Sequence, residues 1–442
     1  MNQDSKSTFD RKIDGLIKDI EEVLKLTESS QTTKDKITLP MDKMNYLEPL
    51  VARLRHQIKQ TTMQSPQNLT STTAKSKQRN PYCYVCKVKL WKDDMRHGTY
   101  NDMCWLCGNI NTNKRDLKKD LTGKVAVVTG GRVKIGFETA IRLLRNGCTV
   151  VVTSRFIDDC LERYKTDPGF SKFSDRLFIY QLNMLDGGNI KKFVQYIFDN
   201  FPRIDYLINN AAQTIKRPIE FFNHLIKKIP VITESDLGTE SPLDKILVHR
   251  DNDELLLLES NKNMLMEYDQ HEIQEIFPLD EFDIYGQQID LRTNNSWMLE
   301  ADCVNISELA EVYIINSIGP YMLSTMLKPV MSKSNNNYSW IINVTSMEGV
   351  FNWDYKSSRH PHTNMAKAAL NMFTRTCGQY FIKLNIVMVC VDTGWNNPQQ
   401  PNSYDFQTPV DCADGAARIL DPIYRELKQS GVFYKDFEQH SW

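Results

Sequence analysis

No apolar run in this sequence approaches the ~20 residues that a membrane-crossing helix needs, and its N-terminus has no short apolar core of the secretory type. Net charge is also lacking: 54 Lys and Arg stand against 55 Asp and Glu, which leaves −1 at pH 7. Bulk electrostatic attraction to nucleic acid or to a membrane surface is therefore not expected. Cysteine is too scarce for a disulfide framework. There are ten in 442 residues, four in two close pairs and six (Cys148, Cys160, Cys303, Cys377, Cys390, Cys412) scattered. That usage fits a reducing compartment and one metal site better than a set of bridges, so the expected location is cytoplasmic. What is present is ordinary for a globular chain, 41% hydrophobic and 25% charged. The length allows two or three units.

The charge is unevenly spread. Lys75 to Lys119 carries eleven Lys and Arg against four acids, while Asp251 to Asp290 carries twelve acids against one Lys. Phe9, Ile13, Leu16, Ile20 and Val23 recur at helical spacing, as do Met44, Leu47, Val51, Leu54 and Ile58. Residues 1–63 are therefore expected to form a helical hairpin, for packing and self-association or for a protein partner. Residues 64–80 are polar and aperiodic and read as a linker.

Residues 81–115 hold two C-x2-C pairs, Cys83/Cys86 and Cys104/Cys107, with seventeen residues between them. Each pair lets two thiolates reach one ion, and four ligands close a tetrahedral site, so the spacing points to a structural zinc. His97 lies between the pairs and is expected at the surface. The basic flank permits nucleic-acid contact, but a solvated face or a dock for the acidic run explains it as well.

From residue 121 strands and helices alternate. The run Val125–Thr129, the turn Gly130-Gly131-Arg132-Val133-Lys134-Ile135-Gly136 and an amphipathic segment to 146 read as strand, tight turn, helix. The backbone N–H groups of such a turn can hold a pyrophosphate. Further strands are expected at 148–153, 177–182, 205–209, before Ser346, at 385–391 and at 431–434. Helices are expected at 158–164, 190–201 and 364–380, with a final pair over 409–428. Repeating units of this length predict an α/β doubly wound parallel sheet of the Rossmann type.

Thr129-Gly130-(x)5-Gly136, then Asn209-Asn210-Ala211-Ala212, Asn316, Ser346 and Lys367, resemble the short-chain dehydrogenase/reductase family in order and approximate spacing. The resemblance covers about 121–435. It implies hydride transfer between a nicotinamide cofactor and a carbonyl or alcohol. Thr129, Gly130, Gly131, Arg132, Lys134, Ile135, Gly136, Arg155, Asn183, Asn210, Thr393 and Lys367 stand at its cofactor-binding positions. Arg155, just after the second strand, suits the 2′-phosphate of NADP(H) better than the free ribose of NAD(H), and Arg132 adds a second charge nearby. Asn316, Ser346 and Lys367 match three members of the catalytic group; Ser346 would hydrogen-bond a substrate carbonyl.

The sequence departs from the family at five places. Asn183 stands where the family has an adenine-contacting Asp and can still offer a hydrogen bond. Thr363 stands where the family has its tyrosine, four residues before Lys367. A threonine hydroxyl cannot be brought to a working pKa as a phenol can. His360, His362 or Tyr355 can supply the proton instead; alternatively Thr363 is only a helix N-cap and nothing replaces the tyrosine. Lys134 occupies the middle glycine of the turn, where it either obstructs a phosphate or meets one. Ala212 replaces a final Gly. The 103 residues between Ala212 and Asn316 exceed the family's usual length and imply an insertion at about 213–305, over the cleft mouth or docked on the basic module. Trp395 is a candidate pocket wall. The leading expectation is an NADP(H)-dependent oxidoreductase with a small-molecule substrate, able to form homo-oligomers. The alternative is an inactive NADP(H)-binding scaffold that engages a partner through the zinc module and helices.

Overall fold

The computed structural model describes residues 81–90, 95–226, 248–249, 270–333, 338–352, 356–397, 399–401 and 407–442. The expected hairpin at 1–63, the linker at 64–80, most of the acidic run and Tyr355 lie outside them. The chain divides into two compact units at Asp116/Leu117.

In the first unit, residues 81–90 and 95–104 form short turns with isolated antiparallel bridges Tyr82–Lys89 and Arg96–Cys104, leading into helix α1 (Trp105–Asp116). Cys83 and Cys107 are buried with Leu90, Tyr100 and Met103.

The second unit is built on one sheet. Its strands are β1 (Val125–Thr129), β2 (Thr149–Ser154), β3 (Leu177–Gln181), β4 (Tyr206–Asn209), β5 (Val248–His249), β6 (Ser339–Thr345), β7 (Ile386–Asp392), β8 (Val432–Lys435) and β9 (Glu438–His440). The order is β5-β3-β2-β1-β4-β6-β7-β8-β9, and only β8–β9 is antiparallel. The central strands are apolar and buried on both faces, the pattern that parallel strands covered by helices require. The pleat splits them: Ala126, Val128, Val150, Val152, Ile342 and Val389 enter one core, while Val127, Val151, Ile341 and Met388 enter the other. Helices α2 (Lys134–Arg145) and α8 (Cys412–Tyr424) supply Ile141, Leu144, Ile419 and Leu420 to the first. Helices α4 (Gly187–Asn200) and α6 (Gly319–Met326) supply Phe193, Ile197 and Leu323 to the second. Strand order reverses between β1 and β4, so the loops after these two strands face one crevice, where such sheets bind ligands.

Several expectations need correction. The helix carrying Lys367, α7 (Pro361–Ile382), starts before 364, because Pro361 is pre-organised for the first helical turn. His360 is its N-cap, so Thr363 is inside the helix and not its cap. The expected pair at 409–428 is the single helix α8: an Asp411/Asp414 capping box starts it and Pro422 is accommodated in its last turn. Strands β5 and β9 were not foreseen, the latter because Glu438-Gln439-His440 is polar and lies at the sheet edge. His97 is half-buried rather than at the surface, its ring against Gly108. No helix among the described residues is long and apolar enough to cross a membrane.

Candidate active site

The turn after β1 is locked from β4. Asn210 Nδ2 donates to Thr129 O (3.0 Å) and Gly130 O (3.2 Å), and Thr129 Oγ1 accepts from the N–H groups of Asn210 and Ala211, each at 3.0 Å. A Cβ on Gly136 would sit 2.2 Å from Gly130 O, so only glycine closes the turn there. Gly131 lies close against Val152, and its carbonyl accepts from Tyr164 Oη at 2.8 Å. Ile135 packs on the core beside Gly415.

Lys134 has φ 56°, the left-handed backbone that the glycine it replaces adopts freely. Its Nζ donates to Asn397 Oδ1 at 3.2 Å, stands 3.8 Å from Asp283 Oδ2 and lies over the Tyr285 ring at 5.4 Å. Burial pushes its pKa down, and Asp283 opposes that shift. The segment bearing Asp283 and Tyr285 is pinned by Arg163, which donates to the carbonyls of Tyr285 (2.6 Å) and Gly286 (2.8 Å). The later part of the insertion thus packs onto the turn.

Two arginines behave differently. Arg132 is buried and paired with Asp159 at 2.6 Å, and Asp159 also holds Arg163 Nε at 2.6 Å. Its charge is therefore compensated within the protein and is not the free positive charge foreseen. Arg155 follows β2, and its guanidinium lies over Phe156 (5.5 Å) and Phe222 (4.9 Å); among the described residues no carboxylate forms an ion pair with it, and Glu311 acts on it only at longer range. Desolvation, then the like charge of Arg132, brings its pKa to about 10. Asn183 accepts from Leu185 N through Oδ1 (3.1 Å) and caps its own turn. Thr393 is buried beyond β7, and its carbonyl accepts from Asn396 Nδ2 at 3.3 Å. Trp395 is largely exposed.

The segments that carry Asn316 and Ser346 pack against α7, which carries Thr363 and Lys367. Asn316 lies in a π-helical stretch, Ile314–Ile318, and the neighbouring Ser317 Oγ donates to Ala366 O at 2.5 Å. Gly349 sits directly on the Lys367–Ala368 backbone, which brings the Ser346 turn against the helix. Lys367 Nζ is buried and donates to Val344 O at 2.9 Å. Burial holds its pKa down to about 8. Ser346 Oγ accepts from Glu348 N at 3.3 Å, which leaves its hydroxyl hydrogen to donate. Thr363 Oγ1 is buried with no partner. Asn316 spends both amide ends on Gln213: Oδ1 accepts from its N–H (2.9 Å) and Nδ2 donates to its carbonyl (2.7 Å). Its side chain therefore anchors the start of the insertion.

The two histidines have separate surroundings. His360 stacks on Trp297 (3.8 Å, 6°), and its ring nitrogens meet Trp297 O (2.9 Å) and Glu348 Oε2 (3.1 Å), so both are engaged. His362 is fully buried with both nitrogens unpartnered, 3.9 Å from Glu308 Oε1, and desolvation lowers its pKa. Sequence reasoning missed Phe222, Asp283, Tyr285, Trp297, Glu348 and Asn397. Their contacts join different elements of the chain, and no local spacing encodes those.

In the first unit, the sulfurs of Cys83, Cys86, Cys104 and Cys107 all lie within 4.8 Å of one another. A tetrahedral zinc with ~2.3 Å bonds sets its sulfurs about 3.8 Å apart, and Cys86 Sγ to Cys104 Sγ is 3.8 Å. Cys104 N–H points at Cys83 Sγ (3.3 Å) and Cys107 N–H at Cys104 Sγ (3.5 Å). The quartet fits a closed four-thiolate site. His97 Nδ1 accepts from the N–H groups of Thr99 and Tyr100, each at 3.2 Å, and stands outside the quartet.

A family model described as short chain dehydrogenase matches residues 124–226, the stretch from β1 to the start of the insertion. Over that stretch the sheet domain is similar to the short-chain dehydrogenases. An uncharacterised protein of Acanthamoeba polyphaga mimivirus is 29% identical over 379 residues, covering 80% of this chain and 74% of that protein. A (+)-neomenthol dehydrogenase of Capsicum annuum is 31% identical over 131 residues, or 28% of this chain; the matched part is 41% of that enzyme's length. Among solved structures, an NADPH-bound carbonyl reductase from chicken fatty liver has a TM-score of 0.47 at 19% identity, over 74% of this chain and 100% of that one.

Proposed function

We propose that the chain is an NADP(H)-dependent oxidoreductase acting on a carbonyl or alcohol, with a structural zinc in its first unit. The observation that carries the cofactor is Arg155, a half-buried guanidinium that makes no ion pair among the described residues. An arriving ribose 2′-phosphate would supply the missing anion. NADPH, when bound, supplies a hydride. Thr129, Asn210 and Gly136 hold the turn on which a pyrophosphate would rest, and Lys134 would offer it a cation. Ser346 donates its hydroxyl hydrogen to the substrate oxygen and stabilises the charge developing there. Lys367 has three N–H groups and one protein acceptor. It would carry the proton that the family takes from tyrosine; the Thr363 hydroxyl, one helical turn away, makes no hydrogen bond to it and would relay that proton only once a bound ligand bridges the two. His360 holds the loop after Ser346 through Glu348 and does not exchange the proton. The pepper relative's name supports an alcohol or ketone as substrate class.

The test is direct titration of the full chain with NADPH and NADH, followed by a carbonyl panel read by loss of NADPH absorbance. Tighter NADPH binding with turnover of any ketone supports the reading. Equal affinities remove the cofactor assignment, and tight binding without turnover favours the non-catalytic scaffold.

A further inference from the structure

The start of the insertion builds a small aromatic core of its own. Phe221, Phe222, Leu225 and Phe277 are buried together, with Phe156 packed against them. Phe222 stacks on Phe156 (5.3 Å, 28°) and meets Phe221 edge-on (5.0 Å, 84°); Phe221 meets Phe277 the same way (5.8 Å, 81°). Four arginines lie over these rings. Arg132 stands over Phe156 at 5.7 Å and is paired with Asp159. Arg217 stands over Phe221 at 4.5 Å and Arg292 over Phe277 at 5.8 Å, and both pair with the one carboxylate of Asp290. Arg155 stands over Phe222 at 4.9 Å and Phe156 at 5.5 Å and has no such partner among the described residues. A guanidinium held on an aromatic face is attracted through its plane, so its N–H edge remains available for bidentate bonds to a phosphate. The attraction also removes part of the rotamer freedom that a flexible arginine loses when it binds.

We infer that Phe222, from the insertion, is a positioning residue for cofactor choice: its ring holds Arg155 ready for a 2′-phosphorylated nucleotide. This rests on the NADP(H) reading. It gives the first part of the insertion a role at the adenosine end of the cofactor, away from the substrate. Phe222 touches the arginine and not the reacting atoms, so its effect belongs in the ratio of NADP to NAD affinity.

The test is calorimetric titration of the full chain with 2′,5′-ADP, NADP+ and NAD+, on wild type, Phe222→Leu, Phe222→Tyr and Arg155→Ala, and on Phe222→Leu combined with Arg155→Ala. Loss of the ring should weaken 2′,5′-ADP and NADP+ by about 3- to 30-fold and leave NAD+ within about 2-fold. Phe222→Tyr should keep the wild-type ratio, and Phe222→Leu should add nothing once Arg155 is gone. Should Phe222→Leu unfold, Phe222→Met keeps the volume and serves the same comparison. If Phe222→Leu weakens NADP+ and NAD+ alike, or neither, while Arg155→Ala still costs 2′,5′-ADP affinity, Phe222 is only a core residue and the inference fails alone. If Arg155→Ala leaves 2′,5′-ADP affinity unchanged, the cofactor reading itself fails and takes this inference with it.

Discussion

Replacing Lys134 by glycine separates two opposed effects of one side chain. The lysine sits at φ 56°, a conformation that costs a residue with a Cβ about 1–2 kcal/mol. Lys134→Gly relieves that, but glycine loses about 0.5–1 kcal/mol more on folding through its freer unfolded chain. Removing the amine also forfeits the bond to Asn397 and the approach to Asp283, worth about 1–2 kcal/mol together in this buried setting. Asp283 keeps its acceptor bonds from Tyr285 N and Gln287 N, both 2.9 Å, and stays in place. These contributions nearly cancel, so stability should change by less than about 1 kcal/mol, a shift of no more than about 4 °C in Tm.

Binding should not cancel. The pyrophosphate loses a charge-assisted bond of about 1.5–3 kcal/mol, and Asp283, no longer faced by an amine, repels it. NADP+ affinity should fall by about 10- to 100-fold. Adding Asp283→Asn to Lys134→Gly should recover part of that loss. The assay is calorimetric titration with NADP+ of wild type, both single variants and the double variant, with melting curves alongside. Tighter binding by Lys134→Gly alone would refute the reasoning, because the lysine would then be an obstruction in the turn.

Four further outcomes are expected. Burial holds the Lys367 ammonium down to about 8, so its protonated fraction falls as pH rises through that value; kcat for carbonyl reduction should fall there and kcat for alcohol oxidation should rise, and a flat profile from pH 6 to 10 would remove Lys367 as the proton carrier. Thr363→Val deletes a buried hydroxyl with no partner and should leave melting unchanged or raise stability by up to about 1 kcal/mol, yet slow reduction at least about 10-fold if that hydroxyl relays the proton. Gly136→Ala would bring a Cβ to 2.2 Å from Gly130 O and should cost about 2 kcal/mol or more in urea unfolding, with NADP+ binding lost. Purified chain should hold one zinc, measured by metal analysis; stripping it should expose four titratable thiols and melt residues 81–116 in hydrogen exchange, and a metal-free preparation with the same protection would contradict a structural zinc.

Much of the sheet is legible in the sequence, because strands buried on both faces must be apolar throughout. Val125–Thr129 and Ile386–Asp392 are such runs. Boundaries were less legible where a local rule competed. Pro361 starts a helix that the periodicity begins later, and Pro422 sits in a last turn that tolerates it. The cysteine quartet was legible from spacing alone, since a tight knuckle is a local object. The surroundings of the other site residues were not. Arg132 and Arg155 look alike in the sequence, and only Asp159 on one side and Phe222 on the other separate a neutralised charge from an open one. Asn316 matches its family position, yet both ends of its amide are held by Gln213.

Four residues around the site share one physical feature. Lys134, where the family has glycine, is faced by Asp283 and Tyr285. His360, at the head of the helix that lacks the tyrosine, is stacked on Trp297. Arg155 lies on Phe222, and Asn316 clamps Gln213. Every one of these partners comes from the stretch between Ala212 and Asn316. Lys134 and His360 also have partners outside the insertion, Asn397 and Glu348. The insertion therefore holds these residues in part, and they in turn anchor it. Restoring a single family residue removes one side of such a pair. The proper comparison for any reversion is accordingly a double variant that changes the insertion residue with it.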